Sequence, residues 1–105
     1  MDDTGANAEG EARRARPKGV LNIVSTWHYV YTLESRSHPG LIYTGQTRDL
    51  RRRLLEHNAR KVPHTSKFVP WSIRSVTAFH DRQRALDFER YLKSGSGRAF
   101  LKRHL

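Results

Sequence analysis

Apolar and polar positions alternate across "TWHYVYTLE", residues 26–34, with Trp27, Tyr29, Tyr31 and Leu33 on one side. A period of two in aromatic and β-branched residues predicts a strand. The polar stretch "ESRSHPG", with Pro39 and Gly40, reads as a loop. "LIYTGQT", residues 41–47, predicts a second strand antiparallel to the first. The period then lengthens. In "RDLRRRLLEHNAR", residues 48–60, Leu50 and Leu54 form the apolar stripe of a helix. Thr47 is its expected N-cap, and Asp49 suits the positive end of the helix dipole. Pro63 bounds that helix, and "HTSKFVP" reads as irregular. Alternation returns in "WSIRSVTAF", residues 71–79, with Trp71, Ile73 and, beyond a local irregularity, Val76 expected on the inner face. Asp81 is expected to cap a helix over "RQRALDFERYLKS", Gly95 to end it, and Ser96 to cap a last helix over "GRAFLKRHL". The order β-β-α-β-α-α predicts an α+β domain: a small three-stranded antiparallel or mixed sheet flanked by helices.

Composition narrows the setting. A chain of 105 residues accommodates one domain with a small core. Residues 1–20 are rich in Gly, Ala, Glu and Arg and have almost nothing to bury, so a disordered tail is expected before a domain at 21–105. There is no cysteine, which excludes disulfides and thiolate zinc sites and suits a reducing compartment. "VLNIV" is too short for a signal core or a membrane span, so a cytoplasmic protein is expected.

Charge points to a partner. The formal net charge is +10, and residues 1–20 sum to zero. Sixteen basic and six acidic side chains therefore fall in residues 21–105. A compact basic domain attracts polyanions, nucleic acid first among them.

Several side chains could carry chemistry, each with an ordinary reading beside it. Tyr31 and Tyr43 stand where smaller residues would fill a core, yet aromatic residues are common in strands. Arg53 and His57 are four apart and share the helix face bordering Leu50 and Leu54, where His57 taken alone reads more readily as a satisfied surface or boundary histidine. Glu89, in "ALDFERYLK", lies on or beside the face that Ala85 and Leu92 bury. A carboxylate there needs a partner, either an arginine or a hard divalent cation. "SGSGR", Ser94 to Arg98, could present backbone N–H groups to an anion or simply turn between helices.

In order, these residues resemble the GIY-YIG endonuclease superfamily. "YVY", Tyr29 to Tyr31, corresponds to the first motif and "YTG", Tyr43 to Gly45, to the second. Arg53 stands where the family places its catalytic arginine, eight positions after the second motif, and His57 where it places a His or Tyr. Glu89 matches its metal-binding glutamate on a later helix. The resemblance spans about residues 27–105 and is nearest to small standalone bacterial members, which "LKSGSGRAF" also resembles. Two positions depart from the pattern. Tyr29 replaces the glycine of the first motif, and no asparagine follows Glu89, where several members carry one.

The resemblance implies metal-dependent hydrolysis of DNA phosphodiester bonds, structure-directed or weakly sequence-specific, in repair, recombination or processing. It implies Mg²⁺ or Mn²⁺ on Glu89, Arg53 donating to the phosphate, and Tyr43 relaying the proton of the attacking water. Tyr31 would orient Tyr43, with His57 as the rival base. Gly45, Lys67, Ser96 and Arg98 are the expected nucleic-acid contacts, made largely through backbone phosphates, and a protein partner could supply specificity. The absent asparagine motivates an alternative: a non-catalytic basic module that keeps the fold and binds nucleic acid.

Overall fold

The computed structural model describes residues 27–105. The expectations for residues 1–20, and for the first residues of the domain up to 26, lie outside these. In the described chain, strand β1 (His28–Ser35) is followed by β2 (Ile42–Thr47) and helix α1 (Leu50–Asn58). A 3₁₀ turn (Ser66–Phe68) leads into β3 (Trp71–Phe79), then α2 (Arg82–Leu92) and α3 (Gly95–His104). The sheet is wholly antiparallel in the order β2-β1-β3, and the domain is α+β as expected.

The central position of β1 corrects the one-sided strand read from its alternation. Both its faces are covered, so Val30, Tyr31, Thr32 and Leu33 are all buried. One face carries Val30, packed with Ala85, Leu92 and Leu101 of the two C-terminal helices and flanked by Ile42, Phe79, Phe88 and Phe100. The other carries Tyr31 and Leu33 with Trp71, against Tyr43, Leu50, Leu54 and Phe68. Burying each large side chain contributes on the order of 1.5–3 kcal/mol, which a domain of this size needs.

The β1–β2 turn depends on Gly40, whose φ of +93° disfavours other residues. Its N–H donates to Glu34 Oε2 at 3.1 Å.

Three caps or ends differ from expectation. Thr47 still belongs to β2, paired with Tyr29, so the chain turns only after it. Asp49 caps α1 instead, accepting from the Arg52 N–H at 3.1 Å, while Thr47 Oγ1 accepts from the Asp49 N–H. Ser94, not Ser96, caps α3: its hydroxyl accepts from the Gly97 N–H at 3.1 Å and donates to the Tyr91 carbonyl at 2.6 Å. Gly95 opens α3 rather than ending α2, whose C-cap is Lys93. Asp81 caps α2 as expected, accepting from the Gln83 N–H at 2.8 Å.

On β3, the register shift opposite Thr32/Leu33 is the irregularity anticipated within the strand. Ile73 and Val76 are nonetheless 41% exposed, because β3 is an edge strand and α1 is joined to it at Trp71. There Asn58 clamps the backbone, with Oδ1 accepting from the Trp71 N–H at 2.6 Å and Nδ2 donating to its carbonyl at 3.0 Å.

Candidate active site

Tyr31 and Tyr43 lie on the same face of the hairpin. Tyr31 is opposite Gly45, and Tyr43 is opposite Leu33, one side-chain step along the same face. Their ring centroids are 6.3 Å apart. Gly45 has a steric role here. A Cβ on it would lie 2.5 Å from the Tyr31 hydroxyl oxygen and 3.0 Å from Tyr43 Cε2. The last residue of "YTG" is therefore the floor on which the Tyr31 ring lies.

Helix α1 closes this face. His57 is fully buried, and is not the surface or boundary histidine that spacing alone suggested. Helical periodicity fixes the face a residue occupies but not how deep its end of the helix sinks. The His57 ring packs edge-on to Tyr43 at 4.9 Å and to Tyr31 at 5.9 Å. Its Nε2 lies 3.0 Å from the Tyr31 hydroxyl and its Nδ1 lies 2.8 Å from Thr65 Oγ1. One turn earlier, Arg53 lies near the Tyr31 hydroxyl, whose ionisation it favours, and donates from Nη1 to Glu56 at 2.9 Å. Its side chain is 36% exposed, so the guanidinium reaches from the buried phenol to the surface.

The electrostatics follow from this packing. Burial pushes the Tyr31 phenol up to about 12, with the charges of Tyr43 and Glu89 adding to the rise and Arg53 opposing it. Burial, then the Arg53 charge, holds His57 below its ordinary value, so its neutral form is favoured. Glu56 and Tyr31 raise Arg53 further, which keeps it cationic.

Glu89 approaches from α2. Its charge acts on Tyr31, and its side chain is 21% exposed. Lys93, one turn on, donates to Glu89 Oε2 at 3.1 Å, so the partner is a lysine rather than an arginine. Among the described residues no three His, Cys, Asp or Glu side chains gather as a metal cage. A hard cation that keeps most of its waters needs only one or two carboxylates, and Glu89 fits as such a single oxygen ligand.

On the other side of β2, facing the C-terminal helices, opens a groove of about 790 Å³. Leu41, Leu92 and Leu101 contribute apolar lining, and Arg74, Lys93, Arg98 and Lys102 contribute charge. Arg98 is held by its Nε donating to the Lys93 carbonyl at 3.3 Å. Ser96 is exposed on the first turn of α3 but does not line the groove. Lys67 is exposed on the 3₁₀ turn that follows Thr65. Tyr31, Tyr43, Arg53 and His57 thus share one contact network, and Glu89 adds its charge to it. Thr65 also belongs to the network, and no sequence signal marked it, because it lies in the irregular segment between α1 and β3.

Comparison with known proteins places the chain among relatives. The model of the GIY-YIG catalytic domain matches residues 27–102. A UPF0213 protein of Streptococcus agalactiae is 34% identical over 80 residues, covering 72% of this chain and 89% of its own length. A UPF0213 protein of Serratia proteamaculans is 40% identical, covering 70% of this chain and 71% of its own. One from Haloquadratum walsbyi is 35% identical, covering 68% and 79%. No solved structure matches the chain at a significant level.

Proposed function

The chain belongs to the GIY-YIG catalytic-domain family, and from that premise we propose that it is a divalent-metal-dependent endonuclease hydrolysing DNA phosphodiester bonds. The observation that carries this reading is the network itself: two phenols, a guanidinium and a buried imidazole in contact, with a carboxylate acting on the same phenol.

The residues divide the work by exposure. Tyr31 is 1% exposed and His57 is fully buried, so neither meets bulk water. Tyr43 is only partly buried, so of the two phenols its hydroxyl is the one open to the attacking water, whose proton it receives. Tyr31 and His57 hold the aromatic wall behind it. Arg53, anchored by Glu56 beside Tyr31, donates to the non-bridging phosphate oxygens, a task suited to its planar fork. Glu89 holds a Mg²⁺-class cation, which when bound supplies charge for the phosphate and the leaving oxygen. Arg98 and Lys102, in the groove on the helical side of β2, would hold phosphates further along the nucleic acid. Affinity would rest on phosphate contacts and selectivity on DNA shape or a partner.

A nicking assay tests this, with supercoiled plasmid and a panel of branched DNA in Mg²⁺ or EDTA. Cleavage only with metal, lost in Glu89→Ala and Arg53→Ala while DNA is still bound, upholds it. The Lys93 ammonium on Glu89, an ordinary i,i+4 pair, favours the second reading of a non-catalytic binding module. Binding without cleavage in Mg²⁺ or Mn²⁺, unchanged in Glu89→Ala, would establish that reading instead.

A further inference from the structure

The direction of the buried hydrogen bonds can be worked out from one end. Thr65 Oγ1 donates to the Val62 carbonyl at 3.3 Å, an oxygen that can only accept. This bond and the contact with His57 Nδ1 coexist only if the single hydroxyl proton of Thr65 goes to Val62. Towards His57 Nδ1, at 2.8 Å, the Thr65 oxygen can only accept, so Nδ1 carries the ring proton. A fully buried neutral imidazole then has a bare Nε2. That nitrogen lies 3.0 Å from the Tyr31 hydroxyl, which must donate to it. The Tyr31 oxygen keeps its lone pairs for donors on the side of Arg53. The three bonds run the same way, from Tyr31 to His57 to Thr65 to Val62.

The opposite polarity makes fewer bonds. If Nε2 carried the proton, Nδ1 would take the Thr65 hydrogen and Val62 would lose it, while the Tyr31 hydrogen would find no acceptor in the guanidinium, whose N–H groups only donate. We propose that Thr65 is a positioning residue of the active site: by holding His57 in the Nδ1–H tautomer, it directs the Tyr31 hydroxyl inward and thereby places Arg53.

Thr65 is built in for such a task. It is 1% exposed and lies between the end of α1 and the start of β3. The Trp71 indole donates to its carbonyl at 2.9 Å, its own N–H donates to Val62, and Arg60 donates to the next carbonyl, Ser66, at 3.0 Å. The Asn58–Trp71 clamp fixes the two ends of the same segment.

The catalytic consequence rests on the nuclease reading, whereas the tautomer does not, so two readouts separate them. Long-range ¹H–¹⁵N NMR on the full chain reports which His57 nitrogen carries the proton. The expected result is Nδ1–H in the wild type and in Thr65→Ser, and Nε2–H in Thr65→Val, which offers Nδ1 a methyl group. An Nε2–H or doubly protonated His57 in the wild type overturns the proposal, and that measurement needs no variant to fold. An unchanged tautomer in Thr65→Val overturns it as well. In the nicking assay, kcat of Thr65→Val is expected to fall roughly tenfold or more with little change in KM, and Thr65→Ser to recover most of it. A switched tautomer with unchanged kcat removes the catalytic consequence. If the wild type never cuts, the nuclease reading falls while NMR still decides the role of Thr65.

Discussion

Tyr31 and Gly45 face each other across the β1–β2 ladder, and the phenol occupies the space that a side chain on Gly45 would need. Gly45→Ala must therefore displace the Tyr31 ring, which His57 and the sheet hold from the other side. A destabilisation of roughly 1–3 kcal/mol is expected from such overpacking. Chemical denaturation measures it, and a stability equal to wild type would show that the ring moves freely.

Alkaline stability should report the Tyr31 phenol. Its folded value is raised from 10 to about 12, chiefly by burial. Between those pH values the unfolded chain has lost the proton while the folded one keeps it. Stability thus falls as pH rises through this window, by at most roughly 2–3 kcal/mol from this group. Tyr31→Phe should flatten the slope between pH 10 and 12 in denaturant titrations; a slope identical to wild type contradicts the assignment.

On the acid side the relevant group is His57, held below 6.5 by burial and by Arg53. The unfolded state takes up this proton first. Stability contributed by neutral His57 is complete above about pH 6.5 and is lost as pH falls towards the folded value. Comparing unfolding of wild type and His57→Gln at pH 7.5 and 5.5 should show the smaller pH dependence in the variant.

Salt dependence tests the groove. Arg98 and Lys102 are exposed, so Arg98→Ala and Lys102→Ala should fold normally. Each should weaken DNA binding about equally across sequences and reduce the slope of log affinity against log salt by about one. Fluorescence anisotropy over a salt series reads both quantities. Undiminished slopes would move the strand to another face.

Metal affinity offers a separate check on Glu89. Lys93 already neutralises its Oε2, so a cation must displace or share with an ammonium. Lys93→Gln should lower the Mn²⁺ concentration needed for half-saturation, and Glu89→Gln should abolish specific binding. Calorimetry on the protein without DNA decides this independently of cleavage.

Much of this architecture can be read from the chain, and what escapes has physical reasons. The alternation around Tyr31 and Tyr43 and the Leu50/Leu54 stripe identify elements, because local periodicity is a property of neighbouring residues. They do not report strand order. Only the central place of β1 buries Val30 and Tyr31 on opposite faces, and only the edge place of β3 leaves Ile73 and Val76 exposed. The caps slipped by two residues because Thr47/Asp49 and Ser94/Ser96 are near-equivalent chemically, and the choice depends on where the preceding element stops. The motif spacing brought Tyr31, Tyr43, Arg53, His57 and Glu89 into view together. Thr65 could not be found that way, since its role depends on a contact with His57 across the irregular turn that follows α1.

Gly97 is buried where α3 crosses the end of α2, and a Cβ there would collide with the Tyr91 carbonyl. Main chain rests directly on main chain at this crossing. Arg98 follows immediately, while Glu89 lies just upstream on the partner helix. The spacing of α2 and α3 at this joint is consequently gauged by peptide backbone and not by adjustable side chains. Such a joint leaves the two helices little freedom to hinge against each other.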